Sequence, residues 1–123
     1  MTEILLVDDS PLYREMSSNS LQDEGYSVLT AENGFEAYEK WQNESVDGIV
    51  TDLNMPELNG FELIRQIRNK PGGSRIPILV ATVRKQKSDV KRAIEYGADN
   101  YVIKDQNEMD ELIRKVNSLL DER

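Results

Sequence analysis

The sequence predicts an α/β domain: a doubly wound, five-stranded parallel sheet with five helices divided between its two faces. Three observations carry that expectation. Short runs at 4–7, 48–51, 78–81 and 101–103 are rich in aliphatic and β-branched residues and almost free of polar interruptions, as strands buried on both faces are. Each run is separated from the next by helix-like sequence, which reads as a repeating βα unit. Polar residues of related chemistry, Asp8 and Asp9, Asp52, Thr82 and Lys104, stand directly after the four runs, where an open parallel sheet gathers its ligand groups.

Taken in order, residues 4–7 form the first strand. Ser10 and Pro11 then supply an N-cap and a first-turn proline, and Leu12, Met16 and Leu21 the apolar positions of a helix that ends at Gly25. The second strand is expected at 26–30. A helix opens at Asn33-Gly34 with Ala37 and Trp41 one turn apart, and Gly48–Thr51 forms the third strand. Phe61, Ile64 and Ile67 recur at helical spacing, and residues 70–74, Lys-Pro-Gly-Gly-Ser, read as a surface loop. The fourth strand is expected at 78–81, before a helix with Val90, Ala93 and Ile94 that stops at Gly97. The fifth strand is expected at 101–103. The last helix opens at Asn107 and repeats Met109, Leu112, Ile113, Val116, Leu119 and Leu120 on one face. Right-handed crossovers favour the flavodoxin-like strand order 2-1-3-4-5.

Composition narrows the function. A chain of 123 residues suits one domain, so residues 1–123 are expected to be a single unit without an output domain. The net charge of −8 argues against direct binding to nucleic acid or an anionic membrane, and protein partners are the expectation. Cysteine and histidine are both absent, which removes thiolate nucleophiles and Ser-His or Cys-His catalysis and fits a reducing interior. Neither a leader nor an apolar run near the roughly 20 residues of a membrane span is visible, so the expected location is cytoplasmic.

The residues after the strands suit one chemistry. Mg²⁺ prefers hard oxygen ligands and a few carboxylates. Asp9 and Asp52 are suited to direct ligation, the Asn54 carbonyl can supply a third oxygen, and Asp8 can hold a bound water. Three crowded carboxylates call for a divalent metal or strong coupling to Lys104. Asp52 is the expected nucleophile, since a carboxylate can form an aspartyl phosphate. Lys104 and the Thr82 hydroxyl can neutralise the phosphoryl oxygens.

The motifs Val7-Asp8-Asp9-Ser10, Asp52-Leu53-Asn54-Met55-Pro56 with Asn59-Gly60, Ala81-Thr82, and Gly97-Ala98-Asp99-Asn100-Tyr101-Val102-Ile103-Lys104 together resemble the receiver domain of bacterial two-component response regulators, in a stand-alone form similar to the chemotaxis type CheY. The resemblance runs from Ile4 to about Leu120 and implies a phosphorylatable signalling switch. Asp52 would accept a phosphoryl group from a sensor histidine kinase or histidine phosphotransfer protein, with Mg²⁺ as cofactor. A downstream protein target would then read the surface of the fourth helix, fifth strand and fifth helix. The resemblance also implies that Tyr101 changes rotamer as Thr82 moves, that Asn54 and Arg84 flank the path of hydrolytic water, and that the protein is a phosphoacceptor and not an enzyme, with autodephosphorylation left open.

Three features depart from that pattern or point elsewhere. Asp105 follows Lys104 where the family usually has a cis proline, and a cis bond without proline costs about 2.5–4 kcal/mol, so a trans peptide is expected. Val83 is larger than the residue usual after the threonine. Arg84, Lys85, Lys87, Lys91 and Arg92 form a local basic excess, either a solvated helix face or an electrostatic guide for an acidic partner. A receiver-fold interaction module without phosphorylation stays open as an alternative. So does a phosphohydrolase of the haloacid dehalogenase type, although its Asp-x-Asp motif after the first strand is not the Asp8-Asp9-Ser10 found here. A flavodoxin would need a first loop that does not repel phosphate, and this one is acidic.

Overall fold

Parallel strands joined by helices leave one way to shield both faces of a sheet, and the chain adopts it. The computed structural model describes residues 2–105 and 108–121. Its elements run β1 Glu3–Val7, α1 Pro11–Asp23, β2 Ser27–Ala31, α2 Gly34–Asn43, β3 Gly48–Thr51, α3 Gly60–Arg68, β4 Ile78–Thr82, α4 Lys87–Tyr96, β5 Asn100–Ile103 and α5 Glu108–Asp121. All four strand pairs are parallel, in the order β2-β1-β3-β4-β5. The doubly wound α/β architecture and its strand order are those expected from the sequence.

Because successive strand side chains point to opposite faces, each strand feeds two cores. Leu5, Val7, Ile49, Ile78, Val80 and Tyr101 pack toward the helices α2, α3 and α4. Ile4, Leu6, Val50, Leu79, Ala81 and Val102 pack toward α1 and α5. Burying one such aliphatic side chain is worth about 1.5–3 kcal/mol, so this alternation is what secures the register.

Local chemistry starts and stops the helices. Ser10, Asn33 and Asn59 cap α1, α2 and α3 by accepting from the backbone N–H of Tyr13, Glu36 and Glu62. Gly97, at φ +123°, ends α4 in the left-handed region. The Arg68 guanidinium at the end of α3 donates to the carbonyls of Gly73, Ile76 and Gly97 and pairs with Asp99. It thereby ties the 70–74 loop to the entrance of β5.

Several sequence expectations shift. The second strand begins at Ser27 and includes Ala31, because the Tyr26 N–H closes α1 on the Leu21 carbonyl and its hydroxyl donates to Asn117 across the fold. Leu12 and Met16 are 68% and 48% exposed, and α1 buries Ser17 and Leu21. Ser17 is accommodated because its hydroxyl donates to the Tyr13 carbonyl within the same helix. On α4, Ala93 is buried whereas Ile94 is 45% exposed, since a short helix turns only one narrow stripe to the sheet. The expected helix start at Asn107 lies outside the described residues. Among the described residues no helix is long and apolar enough to cross a membrane.

Candidate functional site

The sheet places the site before any side chain does. Val7 pairs with Thr51, so Asp8 and Asp52 emerge side by side from β1 and β3, with the Asp52 N–H held on the Val7 carbonyl at 3.0 Å. Thr82 pairs with Ile103 at the ends of β4 and β5, and the Lys104 N–H bonds the Thr82 carbonyl at 2.8 Å. Four strand ends thus aim at one crevice, the usual ligand edge of such a sheet.

There the Lys104 ammonium bridges Asp8 Oδ2 at 2.6 Å and Asp52 Oδ2 at 2.9 Å. The second oxygens are also engaged. Ser10 N–H donates to Asp8 Oδ1 at 2.9 Å, and Leu53 N–H donates to Asp52 Oδ1 at 2.6 Å. Both carboxylates are buried, whereas Asp9 is exposed at the mouth. Burial is the largest influence on Asp8 and lifts its pKa above the ordinary carboxylate value, against the opposing pull of Lys104 and Ser10. Burial also pulls hardest on Lys104, downward, yet its bonds to Asp8 and Asp52 outweigh that and leave its pKa raised. The lysine is therefore firmly cationic at neutral pH.

Asp8, Asp9 and Asp52 each bring a carboxylate oxygen within 4.8 Å of the others. Hard oxygen donors at that spacing, two on a rigid sheet edge and one open to solvent, fit a small divalent cation that keeps several waters. Asn54, also exposed, sits on the loop after β3, its N–H turned toward Asp52 Oδ1 at 3.4 Å.

A second group of contacts leads away from the crevice. Thr82 is buried, and its hydroxyl accepts from the Arg84 N–H at 3.4 Å. Arg84 reaches back to donate to Asn54 Oδ1 at 2.7 Å and pairs with Asp89 at 3.1 Å. The Tyr101 hydroxyl donates to the Arg84 carbonyl at 3.0 Å, and Lys115 of α5 donates to the Tyr101 carbonyl at 2.8 Å. Val83 is 58% exposed beside Thr82. Among the described residues no peptide bond is cis, so Lys104 and Asp105 are joined in trans, as expected from the missing proline.

Sequence reasoning did not single out Tyr13 or Arg14. The Lys104 ammonium lies 3.9 Å from the Tyr13 ring centroid, and Arg14 donates to the Asp8 carbonyl at 2.7 Å. Their positions on the first turn of α1 gave no signal, because an aromatic and an arginine there are usually just solvated.

Burial, followed by the nearby Asp89 charge, pushes the Tyr101 phenol up to about 12. The neutral form is favoured in the folded state, so its contribution is complete below about 10 and is lost as pH rises toward 12. Across that window the stability of the protein should fall relative to a Tyr101→Phe variant, by up to about 1.4 kcal/mol per pH unit. Parallel profiles in denaturant titrations from pH 9 to 12 would show that the phenol is not held as the geometry indicates.

Comparison with known proteins agrees with this geometry. The model of the response regulator receiver domain matches residues 4–117. A chemotaxis protein, CheY1 of Helicobacter pylori, is 39% identical over 104 residues, covering 83% of this chain and 84% of that protein. The gliding motility regulatory protein of Myxococcus xanthus is 37% identical over 116 residues, 94% of this chain, but the chain spans only 15% of its length. Among solved structures, the Thermotoga maritima response regulator TrrA in complex with Mg²⁺-BeF superposes with a TM-score of 0.86 at 39% identity, covering 98% of this chain and 100% of that one.

Proposed function

The chain belongs to the response regulator receiver domain family, and from that premise we propose that Asp52 accepts a phosphoryl group from a phosphohistidine on a partner kinase or phosphotransfer protein. The observation that carries the reading is the Lys104 ammonium held between two buried carboxylates, Asp8 at 2.6 Å and Asp52 at 2.9 Å. Such an arrangement stores a cation where negative charge will arrive.

In the transfer, an Asp52 carboxylate oxygen attacks phosphorus. The new O–P bond forms as the P–N bond breaks, and the bonding pair leaves with the imidazole nitrogen. An ionised carboxylate needs no general base. Lys104 is released from part of its carboxylate pairing to face the phosphoryl oxygens, and the Thr82 hydroxyl, one strand over, can donate to another. Asp8, Asp9, Asp52 and the Asn54 carbonyl would hold Mg²⁺, with Asp8 acting through water. That ion would lower the charge repulsion between the acidic site and an incoming phosphate.

Movement of Thr82 would reach the Arg84 carbonyl, hence Tyr101 and through it Lys115 on α5. This chain of contacts supports a population shift that is read by a protein target on the α4, β5 and α5 surface. In the same reading the protein is a phosphoacceptor and not an enzyme, and residues 1–123 act as a single cytoplasmic switch.

Treatment with a small acyl phosphate and Mg²⁺ should add one phosphoryl group by intact mass spectrometry, and Asp52→Asn should abolish the gain. No gain in the unaltered protein would favour the interaction module. Mg²⁺ alone should raise the melting temperature by linkage, by the equivalent of about 2.7 kcal/mol at a hundredfold excess over Kd. Asp9→Ala should remove that shift, and an undiminished shift in the variant would sink the ligand assignment.

A further inference from the structure

Nine of the 15 lysines and arginines lie between residues 65 and 92, a stretch with a single acidic residue, Asp89, while the remaining six share the rest of the chain with 22 aspartates and glutamates. The division is spatial too, because α3 and α4 are neighbours on one face of the sheet. At their seam the rings of Phe61 and Tyr96 meet edge-on with centroids 5.8 Å apart.

Three guanidinium groups gather on these two rings. Arg92 lies 4.0 Å from the Phe61 centroid and 5.4 Å from that of Tyr96, Arg84 lies 5.5 Å from Phe61, and Arg65 lies 5.8 Å from Tyr96. Arg65 pairs with Glu62 and Arg84 with Asp89, but Arg92 is exposed and has no carboxylate within 4.0 Å among the described residues. Arg65 and Arg84 are offset by their own carboxylates, and Arg92 is the charge of the three left for an outside anion to meet. A guanidinium resting on an aromatic face is held in a fixed orientation, and Arg92, which makes no ion pair among the described residues, keeps its N–H edge available to fork onto a carboxylate, whereas Arg84 already spends Nε on Asn54 and a terminal nitrogen on Asp89.

We propose that the α3–α4 seam is a docking surface for an acidic segment of a protein partner, whose carboxylates pair with Arg92 and with the exposed Arg65. Neither Arg92 nor Arg65 belongs to the Asp52 crevice, so occupation of the seam does not require phosphorylation, although Arg84 beside it bonds Asn54 and its carbonyl accepts from the Tyr101 hydroxyl. A nucleic acid fits less well, since a long polyanion placed on this seam would run onto the acidic remainder of the surface. A second copy fits less well because two molecules of net charge −8 repel on approach.

The test uses a fluorescein-labelled, glutamate-rich peptide of about a dozen residues, with binding followed by anisotropy at low and physiological salt. The unaltered protein should bind it in a salt-sensitive way, and Arg65→Gln/Arg92→Gln should weaken binding about tenfold or more. Arg114→Gln, on α5 in the opposite layer, should leave it unchanged. Arg65→Lys/Arg92→Lys, which keeps the charge and loses the fork, should fall between and covers the case in which the glutamine variant does not fold. The proposal is overturned by absence of peptide binding at low salt, by an equal loss in Arg114→Gln, or by tighter binding of an oligonucleotide of matched length. Self-association through the same arginines, seen by light scattering, would overturn it in favour of a second copy.

Discussion

Replacing Lys104 with alanine should cost the protein about 3–5 kcal/mol in the absence of metal, a fall of roughly 10–20 °C in melting temperature. The substitution strips the only cation that contacts both Asp8 and Asp52 among the described residues, at 2.6 and 2.9 Å, and both carboxylates are buried. An uncompensated buried carboxylate responds by taking up a proton. The Asp8 pKa, already raised by burial, loses the lowering influence of Lys104 and should rise further. The sign follows from linkage: a group whose folded pKa is raised weakens the fold as pH climbs through that pKa. The deficit should therefore be largest at pH 7 to 8 and shrink on acidification toward pH 5. In the unaltered protein the raised pKa of Lys104 keeps its ion pairs intact below the ordinary lysine value, with loss only as pH rises through the folded value.

Two further readouts separate charge from packing. Mg²⁺ should restore more stability to Lys104→Ala than to the unaltered protein, because the ion replaces a missing positive charge. The variant should still gain phosphate from an acyl phosphate while losing the structural response to it. A melting temperature unchanged across this pH range would mean that the ammonium does not bridge the two carboxylates.

Gly60→Ala is the second large effect, expected at more than about 3 kcal/mol. A Cβ at this position would stand 2.1 Å from the Asp52 carbonyl oxygen and 2.8 Å from the Leu53 Cα. Both are backbone atoms, so no rotamer change can relieve the clash, and either α3 withdraws or the loop carrying the acceptor moves. Gly60 also donates its N–H to the Leu53 carbonyl at 3.1 Å, which holds that approach in place. Phosphate acceptance should thus fall together with stability. Gly25→Ala is the comparison. Gly25 sits at φ +104° with nothing within 4 Å of the added atom, so only backbone strain of about 1 kcal/mol is expected. Equal urea midpoints for the two variants would remove close packing as the reason for glycine at position 60.

Much of the fold was legible from the chain. The apolar runs of β1, β3, β4 and β5 are buried on both faces, so their composition alone marks them as strands of a parallel sheet, and Ser10, Asn33 and Gly97 announce helix ends through local backbone chemistry. The edge strand was placed one residue early at each end, because β2 is only half-buried and lacks that compositional mark. Asp8, Asp52, Thr82 and Lys104 could be named because strand ends converge whatever the details of packing.

What the residues alone determined is the set of groups delivered to one edge of the sheet: acidic pair, acceptor carboxylate, hydroxyl and cation, each following a recognisable strand. What tertiary structure decided is how those groups are shared. That Lys104 spans Asp8 and Asp52 while resting on Tyr13, that Arg84 links Asn54 to Tyr101, and that α1 buries Ser17 while leaving Leu12 and Met16 in solvent depend on segments tens of residues apart. Local propensity and periodicity act within a few residues, whereas ion pairing, cation–π contact and the choice of buried helix stripe depend on which surfaces the sheet brings face to face.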